Sequence, residues 1–175
     1  MRSTGETRFQ ELVYIAETRT HALLTQASGH YRIPTPQTDI RFDLRGKSAG
    51  QARIPYRGRP VIRYNPQLLW ENGERFLSRT VPHEVAHIIA QRLYGARIRP
   101  HGKEWQAVML LFGADPSRCH DYDISHVTTR RLTHYAYHCA CREHALTSIR
   151  HKRILAGQTY YCNVCRRTLE QGPRP

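Results

Sequence analysis

Acidic side chains are scarce in this chain of 175 residues: 14 stand against 27 lysines and arginines, a formal net charge of +13. That shortage points to an acidic partner, with nucleic acid the first candidate. Lysine is scarcer still, three of the 27 cations, so the charge is carried almost wholly by guanidinium groups. Long apolar runs are missing. The longest, Ala107 to Ala114, falls far short of the roughly 20 residues that a membrane-spanning helix needs. The N-terminal MRSTGETRFQE has no apolar core and does not read as a secretion signal. A cytoplasmic protein is therefore expected, in which thiols stay reduced. Its five cysteines then read as metal ligands or buried thiols rather than disulfides. No internal repeat or low-complexity tract is present. With 39% hydrophobic residues the chain can bury a core, and its length suits one compact domain with a small appendage.

Phe9, Leu12, Val13, Ala16, Leu23 and Leu24 form a helical stripe, which predicts an amphipathic helix over 7–27. Ile40, Phe42 and Leu44 alternate with polar residues as in a strand, and 51–55 and 60–64 read as two more. Asn65-Pro66 is a helix start, with Asn as cap and Pro in the first turn. The run 66–79 is then helical, Pro82 is expected to end or kink it, and a second helix, 82–94, stops at Gly95. Trp105, Val108, Met109 and Phe112 predict a core helix over 102–112. Beyond Gly113 the chain turns polar and then rich in Cys, Arg and Tyr. The expected organisation is a core over 1–117, a linker over 118–134, a cysteine-bearing domain over 135–170 and a tail over 171–175. The first 117 residues carry 17 basic and 10 acidic side chains, and residues 118–175 carry 10 and 4. The smaller part is the more densely charged.

The stretch TVPHEVAHIIA, 80–90, places His83 and His87 one helical turn apart, so both imidazoles can reach one ion. Glu84 lies beside them, able to handle a proton without being a ligand, as in the H-E-x-x-H arrangement of zinc peptidases. The rest of this helix is apolar, and histidines inside a core need partners. A catalytic zinc ion takes a third protein ligand and keeps a fourth position open. His101, after a Gly-Ala turn and a proline, is the favoured third ligand, with Glu104 as its competitor. Tyr94 and Tyr122 are candidates for stabilising an oxyanion.

A second set of ligands follows. YHCACREH supplies Cys139, Cys141 and His144, and YYCNVCRR supplies Cys162 and Cys165. Two such pairs about 20 residues apart close a ribbon site. Five groups compete for four places: the four cysteines, or a set in which His144 substitutes. Two zinc ions per chain are therefore expected. Cys119 reads as an ordinary thiol. Arg150, Lys152, Arg153, Arg166 and Arg167, interleaved with Tyr160 and Tyr161, suit contact with phosphates and bases, and equally suit a solvated face.

From about residue 34 to 169 the chain resembles the SprT family of zinc metallopeptidase-like proteins. The resemblance is carried by R-G-K-S-A-G (45–50), I-R-Y-N-P (62–66), V-P-H-E-V-A-H (81–87), P-H-G-K-E-W (100–105) and C-x-C-x-x-H…Y-x-C-x-x-C. It implies an α+β protein with a small gluzincin-like core, helices packed on a three-stranded sheet, followed by a C-terminal zinc ribbon. It also implies His83, His87 and His101 as zinc ligands and Glu84 as general base. Eukaryotic relatives, the Spartan proteases, cleave proteins crosslinked to DNA. The chain departs from the short bacterial pattern in a longer hairpin, Ile54 to Pro60, containing Arg57 and Arg59. The expected function is a zinc-dependent endopeptidase acting on a protein or peptide, with DNA as a further partner. The rival is a nucleic-acid-binding regulatory protein whose peptidase-like site is silent.

Overall fold

The structure, a computed structural model, describes residues 4–117, 122–124 and 133–172. Cys119 and most of the expected linker lie outside the described residues. The chain forms two compact units, 1–128 and 129–175.

In the first unit, α1 (Thr4–Tyr31) buries the stripe predicted from sequence, with Leu12, Ala16, Leu23 and Leu24 at most 8% exposed. It runs a turn beyond the expected 7–27 because Arg32 takes a left-handed φ of 53° and the Ile33 N–H returns to the Ser28 carbonyl at 3.0 Å. This αL ending usually falls on glycine, which is why the sequence hides it. Three short strands follow: β1 (Asp39–Arg41), β2 (Gly50–Arg53) and β3 (Val61–Tyr64). β3 is central, parallel to β1 and antiparallel to β2, with Ile62 opposite both Ile40 and Ala52. β2 is thus an edge strand.

The helix α2 (Pro66–Tyr94) opens as its sequence predicts: the Asn65 side chain accepts from the Gln67 and Leu68 N–H groups. The same amide donates to the carbonyls of Gly46 and Ser48, tying the helix start to the loop that leads into β2. The predicted interruption at Pro82 is corrected. Pro82 lies inside the helix, and the one non-helical residue within α2 is Gly73, at φ 42° and ψ −115°. Proline's fixed φ suits a helix. Its missing N–H and ring clash cost about 3 kcal/mol, and here a buried segment, including Val81, Val85 and Ala86, offsets that loss. Gly73 adopts a backbone shape that a Cβ would disfavour. The last element, α3 (Lys103–Leu111), buries Trp105, Val108 and Met109. Tyr122, in the stretch expected to be linker, is 5% exposed and belongs to this core.

In the second unit β4 (His134–His138) pairs antiparallel with β5 (Glu143–Thr147), and α4 (Ser148–Leu155) follows. The two-residue β6 (Glu170–Gln171) pairs with the other edge of β4. The sequence reading contained no α4. That helix buries none of its residues, so it carries no apolar stripe to find. Among the described residues of this unit the buried apolar side chains are Tyr137, Leu146 and two cysteines, Cys139 and Cys162. So small a core does not hold a domain together without further crosslinks. No described helix is long and apolar enough to cross a membrane.

Candidate metal centres

His83 and His87 stand on successive turns of α2, and the chain then reverses at Gly95, whose N–H closes the helix on the Gln91 carbonyl. A tight turn, with the Gly102 N–H on the Arg99 carbonyl at 3.0 Å, brings His101 back just before α3 begins. Its Nε2 lies 3.1 Å from that of His83, and His87 Nε2 is 3.2 Å from the same atom. All three ring nitrogens fall within 4.8 Å of one another. Lone pairs converging in this way repel unless something positive sits among them. Tetrahedral zinc at about 2.0–2.1 Å from each nitrogen separates its ligands by roughly 3.4 Å, so the spacing fits. Burial first, and the neighbouring His101 second, push the His87 pKa down to about 4, which keeps its lone pair available for a cation at neutral pH. Glu104, the competing third ligand, is outside this group.

Glu84 is 6% exposed and opens on the same cleft of about 720 Å³ as the three histidines. Burial pushes its pKa up to about 8, opposed by a hydrogen bond from the Ala52 backbone. It is held there by β2. A Cβ placed on Gly50 would lie 2.5 Å from both Cγ and Oε1 of Glu84, so only glycine at 50 leaves room for the carboxylate. Behind the histidines stands Trp105, with 0% exposure and ring centroids 4.7, 5.7 and 4.8 Å from His83, His87 and His101. Its indole N–H donates to the His83 carbonyl at 3.2 Å. From sequence, Trp105 reads only as a core residue and Gly50 only as the last residue of R-G-K-S-A-G. Their signals were the motifs around them, P-H-G-K-E-W and R-G-K-S-A-G.

Neither tyrosine proposed for the oxyanion is aimed at the site. The Tyr122 hydroxyl is engaged by Thr80 Oγ1 at 2.9 Å and by the Arg75 carbonyl at 3.2 Å. Tyr94 is 52% exposed and does not line the cleft.

In the second unit the thiols of Cys139, Cys141, Cys162 and Cys165 lie within 4.8 Å of one another. Sulfur separations of 3.5 Å (Cys139–Cys141) and 3.7 Å (Cys141–Cys162) approach the roughly 3.8 Å between thiolates on tetrahedral zinc. The Val164 N–H points at Cys162 Sγ from 3.4 Å, the amide contact of a knuckle. The thiols are pushed apart in pKa. Against the desolvation of Cys139, hydrogen bonds from His144 and the Cys141 backbone hold it down to about 5. The neighbouring Cys139 and Cys165 sulfurs push Cys141 up to about 11. Crowded thiols of this kind gain from a shared cation. His144 Nε2 contacts Cys139 Sγ at 3.3 Å and stays outside the four-thiol group, which suits a partner to a ligand rather than a ligand. Arg150, Lys152, Arg153, Arg166 and Arg167 are all exposed, the first three on α4.

The described residues thus contain a three-histidine group and a four-cysteine group, each able to hold a metal ion and each consistent with zinc. The sequence profile of the SprT-like family matches residues 20–131. Protein SprT of Pseudomonas paraeruginosa strain PA7 is 43% identical over 155 residues, covering 86% of this chain and 90% of that protein. Protein SprT of Pseudomonas putida strain W619 is 41% identical over 154 residues, with 86% and 90% covered. No solved structure gives a significant match. By profile, by identity along most of its length and by the residues gathered around its cleft, the chain belongs to the SprT-like family.

Proposed function

We propose that the chain is a zinc-dependent metalloendopeptidase with a gluzincin-like core and a zinc ribbon, acting on proteins bound or crosslinked to DNA. The observation that carries this reading is the buried Glu84, adjacent in sequence to His83 and opening on the same cleft as the three converged imidazoles. A site built only to hold an ion has no use for a carboxylate kept beside it at the expense of its own desolvation. His83, His87 and His101 would hold zinc in the first unit, and the four cysteines would hold a second ion in the other. Zinc at the histidines would supply Lewis acidity and lower the pKa of water towards 7.

The chain's own groups do the rest. A polypeptide entering the cleft would lie beside Glu84, whose carboxylate takes the proton of the attacking water and delivers it to the leaving amine. Gly50 and the Ala52 backbone fix the carboxylate so that this transfer needs no rearrangement. Trp105 shields the histidine side of the site from water. The net charge of +13 supports DNA as the scaffold on which substrate is met, and cysteines gathered as a metal-ligand group suit a cytoplasmic setting. The test is proteolysis of a DNA-binding protein with and without DNA, before and after chelation. Cleavage that needs metal and rises with DNA is expected. Cleavage unaffected by chelation, or none under any condition, contradicts the reading.

A further inference from the structure

The cleft is flanked by two loops whose composition the catalytic reading leaves unused. From Leu44 to Trp70 there are six basic side chains and no acidic one, and from Val85 to Lys103 four and none. Of the six, Arg63 is paired with Asp43. Arg53, Arg57 and Arg59, at the end of β2 and in the loop to β3, are exposed, as are Arg97 and Arg99 between α2 and α3. None of these five has an acidic partner among the described residues. Both loops also reach the cleft: Ile54 lines it from one side, and Ala96 and Ile98 from the α2–α3 loop. A tyrosine in solvent accompanies each, one within the β2–β3 loop and one at the end of α2. Tyr56, at the tip of the β2–β3 loop, is 99% exposed, and Tyr94 is 52% exposed.

We propose that these two loops make the rims of the cleft a binding surface for single-stranded nucleic acid. Guanidinium groups free of local carboxylates are available for phosphates, which they meet in bidentate geometry. Tyr56 contributes no packing to the fold, so its ring is free to stack on a base. An acidic polypeptide would be served by the charge alone and would leave that ring unused. Duplex DNA hides the base faces that the ring would meet. The surface lies on the first unit and is distinct from the basic residues of α4. The proposal rests on the peptidase reading in one respect, that the cleft is where substrate is cut. It places nucleic acid at the entrance to the reacting centre, so that a protein attached to the strand arrives at the cleft.

The experiment is equilibrium binding of the full chain to a labelled deoxythymidine oligomer of about 16 nucleotides, followed by fluorescence anisotropy over a range of salt. Arg53→Ser/Arg57→Ser/Arg59→Ser should lower the slope of log affinity against log salt by about 2, near 0.7 for each phosphate that is no longer neutralised. Tyr56→Ala should weaken binding by roughly fivefold to a hundredfold, while Tyr56→Phe stays close to the parent. A duplex of equal length should be indifferent to Tyr56. Because these side chains are exposed, zinc content and thermal stability should match the parent. Loop variants that bind as the parent does, with the whole decrease appearing instead in Arg150→Ser/Lys152→Ser/Arg153→Ser, would overturn the proposal. So would polyglutamate competing as well as the oligomer with Tyr56→Ala without effect, which would make the rims a surface for acidic protein. Binding needs no hydrolysis, so a chain that binds here and cuts nothing overturns the peptidase reading alone.

Discussion

Gly50 and Glu84 meet at the cleft in a close approach that neither residue announces. A methyl group at position 50 would overlap Cγ and Oε1 of Glu84 and drive the carboxylate aside. Gly50→Ala should therefore keep the three-histidine metal site while lowering hydrolysis by roughly a hundredfold, the scale of a misplacement of about 1 Å. Elemental analysis with a cleavage assay reads both, and unchanged cleavage would show that the carboxylate has room to spare. The same burial gives a pH signature in the metal-free chain. Glu84 rises from 4.5 to about 8 on folding, so its contribution to stability is complete below 4.5 and is lost as pH rises through 8. His87 falls from 6.5 to about 4, so its contribution is complete above 6.5 and is lost as pH falls through 4. Between 6.5 and 8 only the Glu84 effect remains. Metal-free parent should lose thermal stability across that window, and Glu84→Gln should lose less. Taking the difference between the two removes the thiols, which titrate alike in both. Equal slopes would contradict a buried neutral Glu84.

At the scale of elements, Asn65 joins β3, α2 and the loop before β2 through four hydrogen bonds of its side chain. Asn65→Ala should destabilise the first unit by about 2 kcal/mol, the upper end for an N-cap, as read by denaturant titration. A decrease of only a few tenths would mean that water replaces the amide. Helices with a buried stripe were legible in the sequence: α1 and α3 follow from residues three and four apart, and the cap of α2 from Asn-Pro. His83 and His87 were legible for the same reason, being one turn apart on a single element. What escaped were features without a local signature. α4 has no buried face, the helix breaks at Gly73 rather than at its proline, and Arg32 ends α1 where glycine would be expected. His101 was favoured over Glu104 from the sequence, and the turn at Gly102 brings it to the other two histidines, but the meeting of Gly50 with Glu84 needed the packing of β2 on α2, between residues far apart in sequence.

For the whole molecule, the proposed reading puts one zinc ion at each of the two ligand groups and predicts that they differ in lability. Four thiolates would close an ion on every side, whereas three histidines would leave one position open to solvent and chelator. Chelation should remove one equivalent and abolish cleavage first, and remove the second more slowly as the C-terminal unit loses its structure. Simultaneous loss of both ions would contradict two independent sites. The claim on which the rest depends is that Glu84 moves the proton while the histidines hold the metal. Its most direct test is a paired measurement on Glu84→Gln: zinc content by elemental analysis, and the rate of cleavage of a DNA-bound protein. Two zinc ions per chain with hydrolysis nearly abolished is the predicted result. A Glu84→Gln chain that cleaves as fast as the parent would contradict the account.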